Sequence, residues 1–443
     1  MKRKLVFLGF FLVSLIVAGS MLVGCKKKDD TITLKVFYYL EATAPNAIAD
    51  ADLWFSTFEK DNPGVKIDRE NLFDEAFHDK LRTYAAAGTL PDVMYVWPSG
   101  RSDYLHDQHL LKDLTPFINR DNIKGNYIPM TMDPSQQQAG YMAMIPQSIT
   151  TTHAFYTNLD VLNECGLQPA KTYADLKAQV PVLKAKGYET IIIPAQSDWV
   201  MQSCLFSMIA GRFCGADWHT RIHKGQAKFT DPDFVAGLDF VKQMYADGVI
   251  QRSAVGMDYG DGPGAFAKPG SAYYIDGDWR VGAFITDSST GQALITPAKQ
   301  NNITIGVFPD IPGAKINSSS SVILGVGYAM SASIPSGSAK EEAAWKLIKY
   351  MTGKEVSELR TEHGGTPTPS RSDLNFSAMK LEPMQRAIGA IGSTFNTATA
   401  VIDGVFASEV YLPINYGLID LALGKTTGAA VAAEVQKVFD SQK

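Results

Sequence analysis

The stretch Ile32-Thr-Leu-Lys-Val-Phe-Tyr-Tyr-Leu40 opens the part of the chain that decides its fold. Its β-branched and aromatic residues predict a strand. Helical patterns over residues 47–60 and 74–87 alternate with two further strand patterns, at 65–67 and 93–97. A strand–helix–strand–helix–strand order is typical of a domain with a largely parallel sheet, so we predict an α/β fold.

The length of the chain predicts two domains. Residues 31–443 are more than one hydrophobic core normally organises. The stretch at 140–157, Gly-Tyr-Met-Ala-Met-Ile-Pro-Gln-Ser-Ile-Thr-Thr-Thr-His-Ala-Phe-Tyr-Thr, is almost uncharged, rich in strand formers and interrupted by Pro146. This composition favours an extended segment that crosses from one domain to the other.

The N-terminus has the three parts of a secretory signal. It starts with Met-Lys-Arg-Lys, continues with an apolar run at residues 5–18, and places Leu-Val-Gly directly before Cys25. The apolar run is shorter than the roughly 20 residues of a membrane-spanning helix. The stretch before Cys25 resembles a bacterial lipobox, which implies a signal peptide at 1–24, a lipid (palmitate) on Cys25 and a tether at 25–30. The alternative is an uncleaved N-terminal anchor.

Composition and cysteine count narrow the function classes. The chain is 45% hydrophobic and 20% charged, and its formal net charge of −5 offers no basic field for nucleic acid. Three cysteines remain after Cys25, so no complete disulfide framework forms. Ten helical residues separate Cys204 from Cys214 by roughly 15 Å, too far for a disulfide. We therefore expect both to be buried free thiols, although a pairing outside the cell stays open.

Five motifs, in a fixed order, carry a family resemblance. They are Phe-Glu-Lys-Asp-Asn-Pro-Gly-Val at 58–65, Gly-Thr-Leu-Pro-Asp-Val at 88–93, the Tyr-x-Asn, Gly-Leu and Thr-Tyr spacing within 155–176, the segment 266–279 ending in Gly-Asp-Trp, and the helix and Gly-x-x-Pro loop within 343–367. Together they resemble the extracellular solute-binding proteins of bacterial ABC importers, in the sugar-binding, maltodextrin-binding-protein-like class. Tyr173 stands where that family usually has Trp, and Tyr273 where it has Met.

The resemblance implies a two-lobed periplasmic-binding-protein fold with discontinuous lobes and a multi-segment hinge. When the lobe arrangement of that family is applied to this sequence, lobe one covers 31–145 plus 284–332, and lobe two covers 146–283 plus 333–443. It also implies a lipid-anchored monomer outside the cytoplasm. That monomer captures a sugar or oligosaccharide between closing lobes and delivers it to the transmembrane permease subunits. No cofactor, no metal site and no enzymatic activity are predicted.

A sugar-binding cleft needs aromatic rings for the C–H faces of the sugar and polar side chains for its hydroxyl edges. Loops that follow strands supply such groups. The predicted ligand-binding residues are Glu41, Trp97, Gln147, Asp198, Trp199, Asp278 and Trp279. We assign Trp54 and Trp345 to the core, Asp74 and Glu75 to the favourable first turn of a helix, and Arg371 to the surface.

Three other function classes stay open. A receptor for a peptide or a metal has the same architecture. A secreted glycoside hydrolase needs two carboxylates about 5–10 Å apart, and Asp276 with Asp278 or Asp258 with Asp261 are the candidates. However, residues two apart on one strand do not flank a substrate, and neither Gly-x-Ser-x-Gly nor His-Glu-x-x-His occurs. A purely structural surface lipoprotein is the third.

Overall fold

A computed structural model describes residues 31–442. The predicted signal peptide, the lipidation at Cys25 and the tether at 25–30 all lie outside the described residues. The strands are β1 (Ile32–Tyr39), β2 (Val65–Leu72), β3 (Val93–Val96), β4 (Met144–Pro146), β5 (Ile149–Thr150), β6 (Ala154–Asn158), β7 (Glu189–Ile192), β8 (Ser271–Asp276), β9 (Ile303–Gly306), β10 (Ser319–Ser320), β11 (Ile323–Leu324), β12 (Gly327–Met330) and β13 (Thr397–Ala398).

The α-helices alternate with these strands and become the dominant element after residue 339. They are α1 (Ala47–Asp61), α2 (Asp74–Ala86), α3 (Asp103–Asp107), α4 (Thr115–Arg120), α5 (Leu159–Glu164), α6 (Tyr173–Ala185), α7 (Ser207–Cys214), α8 (Trp218–His223), α9 (Pro232–Ala246), α10 (Gly262–Ala265), α11 (Pro297–Gln300), α12 (Ala339–Met351), α13 (Lys354–Glu362), α14 (Pro383–Gly389), α15 (Ile402–Val405), α16 (Ser408–Ala422) and α17 (Gly428–Ser441). Within residues 31–442, no helix combines the length and apolar character that crossing a bilayer requires.

The first lobe is built on a five-stranded sheet in the order β2-β1-β3-β12-β4. β1 pairs in parallel with both β2 and β3, as the strand and helix order of the sequence predicts. β12 lies between β3 and β4 and is antiparallel to both, and β4 forms the edge of the sheet. The buried side chains of α1, α2 and α12 pack with those of β1 and β3 in one core. Burial of these amphipathic faces is what holds the helices on the sheet.

The second lobe is built on a four-stranded sheet in the order β7-β8-β6-β9. β7 and β8 are parallel, and β6 is antiparallel to β8 and β9. Its larger core combines β8 with helices α6, α7, α9, α16 and α17. Trp218, for which the sequence makes no assignment, is 1% exposed in this core.

The segment at 140–157 crosses between the lobes, as predicted. Its first part, β4, belongs to the five-stranded sheet and its last part, β6, to the four-stranded sheet. Between them β5 pairs with β11, and the amide of Ile149 donates to the carbonyl of Thr368. Three stretches of chain therefore run side by side where the lobes join, which is the multi-segment hinge of a two-lobed fold.

The residue limits predicted for the lobes stay a prediction, but two elements depart from them. β9 falls within 284–332, predicted for lobe one, yet it pairs with β6 in the second-lobe sheet. α12 falls within 333–443, predicted for lobe two, yet Trp345 and Leu347 of this helix pack in the first-lobe core. After β9 the chain rejoins the first-lobe sheet at β12, and α12 stays in the first-lobe core. The order of the motifs does not reveal these changes of lobe.

Two helix starts and the three described cysteines complete the local structure. Thr172 and Asp175 form a capping box at the start of α6. At α12, Ser338 accepts from the amide of Glu341, but the carboxylate of Glu341 reaches the amide of Gly337 instead of returning to Ser338. Cys204 and Cys214 are buried free thiols, as predicted, and Cys165 is a half-buried one.

Candidate functional site

A cleft of about 320 Å³ lies between the two sheets. Its lining follows the ends of strands β1, β2, β3 and β4 in the first lobe and of β7 and β8 in the second. Parallel strands present the loops after their carboxyl ends to the same edge, and two such edges face each other here. Nine aromatic side chains line the cleft: Tyr38, Tyr39, Trp54, Phe73, Tyr95, Trp97, Trp199, Tyr259 and Trp279.

The first-lobe wall of the cleft is the ring group Tyr39, Phe73 and Trp97. The Trp97 ring lies 5.2 Å from the Tyr39 ring in an edge-to-face arrangement and 4.6 Å from the His78 ring. Tyr39 lies 5.2 Å from Phe73. The Tyr39–Trp97 contact is edge-to-face and the other two are tilted, and such arrangements are favourable for aromatic rings at these distances, so ring packing holds this wall in place.

The second-lobe wall is the ring group Trp199, Tyr259 and Trp279. Each indole N–H has an oxygen acceptor: Trp199 donates to Asp74 Oδ1 at 2.9 Å and Trp279 donates to Tyr259 Oη at 2.6 Å. The two indole rings lie 6.2 Å apart. Both indole N–H groups are therefore satisfied within the described residues, and both rings are part of the cleft lining.

Arg280 joins the two walls. Its guanidinium pairs with Asp276 at 3.1 Å and with Glu41 of the first lobe at 3.1 Å. It also lies 3.7 Å from the centre of the Tyr259 ring. Burial acts to lower the pKa of Arg280, but the Tyr259 hydroxyl and the two carboxylates hold that pKa well above its usual value. The guanidinium is therefore a permanent buried cation.

A second set of bonds joins the lobes at Asp74 and Arg101. Asp74 accepts from Ser197 Oγ at 2.6 Å in addition to Trp199, and both donors belong to the second lobe. Arg101 pairs with Glu75 of its own lobe and with Asp403 of α15, each at 2.9 Å. These contacts bring the lobes together over the cleft.

Asp278 lies at the base of the cleft and is 2% exposed. Its Oδ2 accepts from the amide of Thr151 in the crossing segment at 2.8 Å, and its own amide donates to the Thr151 carbonyl. Burial raises the pKa of Asp278 to about 7, against two backbone hydrogen bonds that favour the ionised form. The carboxyl group thus fastens the turn after β8 to the hinge.

Four buried polar atoms on cleft residues have no hydrogen-bond partner within residues 31–442: Trp54 Nε1, Gln147 Oε1, Thr152 Oγ1 and Arg280 Nη2. The amide nitrogen of Gln147 is occupied by Tyr95 Oη, which leaves the amide oxygen free to accept. Buried polar groups are nearly always satisfied in proteins. A polar molecule in the cleft could therefore accept from Trp54 Nε1 and Arg280 Nη2, donate to Gln147 Oε1, and do either with the hydroxyl of Thr152.

Six of the seven predicted ligand-binding residues line this cleft: Glu41, Trp97, Gln147, Trp199, Asp278 and Trp279. Their role in ligand binding stays a prediction. Asp198 is not part of the lining. Its carboxylate accepts from Asn415 of α16 at 3.2 Å, and burial together with Glu75 raises its pKa. The side chains of adjacent residues point in different directions. Asp198 is next to Trp199 in the sequence, but only Trp199 lines the cleft.

Several residues behave differently from their sequence assignments. Trp54 is buried in the core as predicted, but its ring also lines the cleft beneath the guanidinium of Arg360. Asp74, assigned to helix-terminus electrostatics, holds Trp199 across the cleft. Arg371 is wrongly assigned to the surface: it is 7% exposed, lies against the Tyr127 ring and pairs with Asp373.

Arg101, Arg280 and Asp403 are cleft residues that sequence reasoning missed altogether. Arg280 carried one usable signal, because it follows the Gly-Asp-Trp motif directly. Arg101 and Asp403 are 302 residues apart in sequence, and only the fold brings them together. Within residues 31–442, no group of three His, Cys, Asp or Glu side chains is arranged to hold a metal ion.

Comparison with known proteins follows from this geometry. The family model described as bacterial extracellular solute-binding protein matches residues 40–358. A protein of Brucella abortus that is named as a binding protein is 23% identical over 310 residues, which are 70% of this chain and 69% of that protein.

Two solved structures have the same fold. One is named as a chitin oligosaccharide binding protein: its TM-score is 0.81 at 20% identity, with 93% of this chain and 99% of that chain covered. The other is a maltose-bound MalE3 of T. maritima, with a TM-score of 0.73 at 17% identity and coverage of 93% and 100%. At these identities the likeness concerns the fold.

Proposed function

The chain belongs to the bacterial extracellular solute-binding protein family, and from that premise we propose that it captures a sugar or oligosaccharide between its lobes. The captured sugar is delivered to the transmembrane subunits of an ABC permease. The single observation that carries the proposal is the cleft, where aromatic faces and unpartnered polar atoms meet. The protein binds and releases its ligand without changing it.

The lining matches the two-sided chemistry of a sugar. Pyranose rings have flat C–H faces, and the rings of Trp97, Trp199 and Trp279 offer complementary surfaces. Hydroxyl edges both donate and accept. They complement the acceptor Gln147 Oε1 and the donor Arg280 Nη2, both of which are buried without a partner in the described chain. A hydrogen bond to a charged group is worth about 1.5–3 kcal/mol net, so Arg280 supplies a strong anchor.

Lobe closure supplies the mechanism of capture. The bonds from Asp74 to Trp199 and from Glu41 to Arg280 connect opposite lobes and are made only when the lobes approach. A ligand that contacts both walls favours the closed state by its differential affinity for closed over open. The hinge between the lobes permits this movement, and the closed form is the one presented to the permease.

The cellular setting follows from the N-terminus and the family. Cys25 after a basic and apolar leader supports lipid attachment and a location outside the cytoplasm. The short Lys/Asp stretch at 26–30 then keeps a monomeric receptor close to its permease without fixing its orientation. The chitin-oligosaccharide-binding and maltose-bound neighbours support a carbohydrate as the ligand class.

Titration of tryptophan fluorescence with a panel of oligosaccharides tests the proposal. Cello-, xylo-, chito- and malto-oligosaccharides form the panel, with a tripeptide mixture and Zn²⁺ as the rival ligands. We expect saturable quenching or a spectral shift with at least one sugar, because three tryptophans of the cleft are only partly buried. A response confined to peptide or Zn²⁺ rejects the sugar. If sugar fragments appear after long incubation, the protein is a hydrolase, and the proposal that it binds its ligand without changing it is rejected.

A matched pair of variants separates the cleft from the core. Trp279→Ala removes a ring from the second-lobe wall and is expected to weaken sugar binding by roughly a hundredfold. Trp345 is fully buried against Phe117 in the first-lobe core. Trp345→Ala is expected to lower stability by about 3–5 kcal/mol with little change in the affinity of the folded fraction. Equal losses of affinity and of melting temperature in both variants contradict the assignment of Trp279.

A further inference from the structure

Gly277 connects β8 to the turn that carries Asp278 and Trp279. Its backbone angles are φ −80° and ψ 174°. These values lie in the extended region that any L-residue adopts without strain. The backbone therefore gives no reason for a glycine at this position, and the reason must be sought in the space around its α-carbon.

That space is filled by the ring of Trp279. A methyl group on the α-carbon of Gly277 would lie 2.2 Å from both Cζ3 and Cη2 of the indole and 2.5 Å from Cε3. Ordinary van der Waals contact begins at 3.4 Å. The six-membered ring of Trp279 is therefore folded back onto the bare α-carbon of Gly277.

Both partners of this contact are held from their other sides. The indole N–H of Trp279 donates to Tyr259 Oη at 2.6 Å, and the Trp199 ring lies beside it. Gly277 donates its amide to Asp276 Oδ1 at 2.7 Å and accepts from Tyr156 Oη at 2.8 Å. Neither the turn nor the indole has freedom to yield without breaking one of these bonds.

We propose that Gly277 is a positioning residue of the sugar site, which sets the place of the Trp279 ring in the second-lobe wall by leaving its α-carbon bare. The inference rests on the proposed function for the identity of the ligand, but the placement itself does not. Any side chain at 277 moves the six-membered ring by about 1.2 Å or more, from 2.2 Å to the 3.4 Å contact limit. The wall then loses its stacking surface while the backbone stays unstrained.

Fluorine NMR of protein labelled with 5-fluorotryptophan tests the placement without any ligand. The chain has six tryptophans, and the signal lost in Trp279→Leu identifies residue 279. Gly277→Ala is expected to shift that signal strongly. Gly264→Ala is the control, because a methyl group there meets nothing within 4 Å and the residue lies in a helix of the same lobe. An unshifted Trp279 signal in Gly277→Ala overturns the proposal.

A double-mutant cycle tests the consequence for binding, with whichever sugar the wild type binds. Gly277→Ala is expected to weaken binding about tenfold in the wild-type background and less than about twofold in Trp279→Leu, because the effect passes through the ring. Equal losses in both backgrounds overturn the proposal, since they show an effect of residue 277 independent of Trp279. A wild type that binds no sugar rejects the proposed function instead, and the fluorine spectrum then decides the placement alone.

Discussion

The two walls of the cleft are both aromatic, but different forces hold them. In the first-lobe wall, Trp97 and Tyr39 are held by contacts between rings. In the second-lobe wall, Trp199 and Trp279 are each fixed by an N–H donated to an oxygen. The first-lobe wall behaves like an extension of a core. In the second-lobe wall, Trp279 is linked through Tyr259 to Asp276 and Arg280, whereas Trp199 is bonded to Asp74 of the opposite lobe.

The difference between the walls indicates how each of them responds to a substitution. Ring packing loses energy gradually when a side chain changes shape, because each lost contact is small. A buried polar network loses energy in large steps, since each broken bond leaves an unpaired group in a low dielectric. The second-lobe wall is therefore the more sensitive half of the site.

Arg280→Met is expected to cause the largest loss of stability in the second-lobe wall. It leaves the fully buried Asp276 without its cation, and breaking a buried pair in this way costs about 3–5 kcal/mol of unfolding free energy. Urea unfolding measures the loss. The control is Lys66→Met, whose pair with Glu59 is exposed and worth less than about 1 kcal/mol. Equal losses in the two variants contradict a network at Arg280.

Phenylalanine substitutions in the two walls compare their forces directly. Trp97→Phe removes only packing surface and is expected to cost about 1 kcal/mol of stability. Trp199→Phe removes a similar surface and also the N–H that Asp74 accepts, so we expect a loss of about 2 kcal/mol. Thermal unfolding of both variants gives the ranking. A larger loss of stability in Trp97→Phe than in Trp199→Phe contradicts the view that the second-lobe wall is the more sensitive one.

Asp74→Ala tests whether the polar wall is completed only in the closed form. The two bonds that Asp74 accepts both come from the other lobe, so its loss is expected to raise the dissociation constant of a sugar about tenfold. Calorimetry measures affinity, and small-angle scattering reports the degree of closure. Asp79→Ala, an exposed residue of the same helix, is the control. Unchanged affinity in Asp74→Ala shows that closure does not depend on this contact.

Asp278→Asn tests the second-lobe wall through the pH dependence of stability. The folded pKa of Asp278 is about 7, against 3.8 for an unperturbed aspartate. Between these values the folded state holds the extra proton, so this group lowers stability as pH rises from about 4 to about 7. The variant should show a flatter profile of melting temperature against pH across that window. The exposed Asp61→Asn should match wild type, and parallel profiles for all three proteins contradict a raised pKa.

Much of the fold was predictable because it depends on local pattern. Strand β1, helices α1 and α2 and the parallel pairing of β1 with β3 follow from periodicity and element order. The crossing segment was predictable from its lack of charge. The return of β9 to the second-lobe sheet was not, because a four-residue strand carries no information about which sheet it joins.

The candidate site divides in the same way. Trp97, Trp199 and Trp279 were predictable as cleft residues, because aromatic side chains after strand ends fall at the edge where loops meet. Asp198 shows the limit of this rule, since its neighbour Trp199 faces the cleft and Asp198 bonds α16 instead.

The amino-acid sequence by itself determined the α/β class, the order of the elements and the supply of rings and carboxylates at strand ends, since these depend on neighbours within a few turns of chain. Tertiary structure alone decided how those groups are used. Glu41 meets Arg280 across 239 residues of sequence, and the Trp279 ring rests on Gly277 because Tyr259 holds its other edge. Such contacts depend on how two lobes close over a shared cleft, and no local pattern of residues encodes the distance between them.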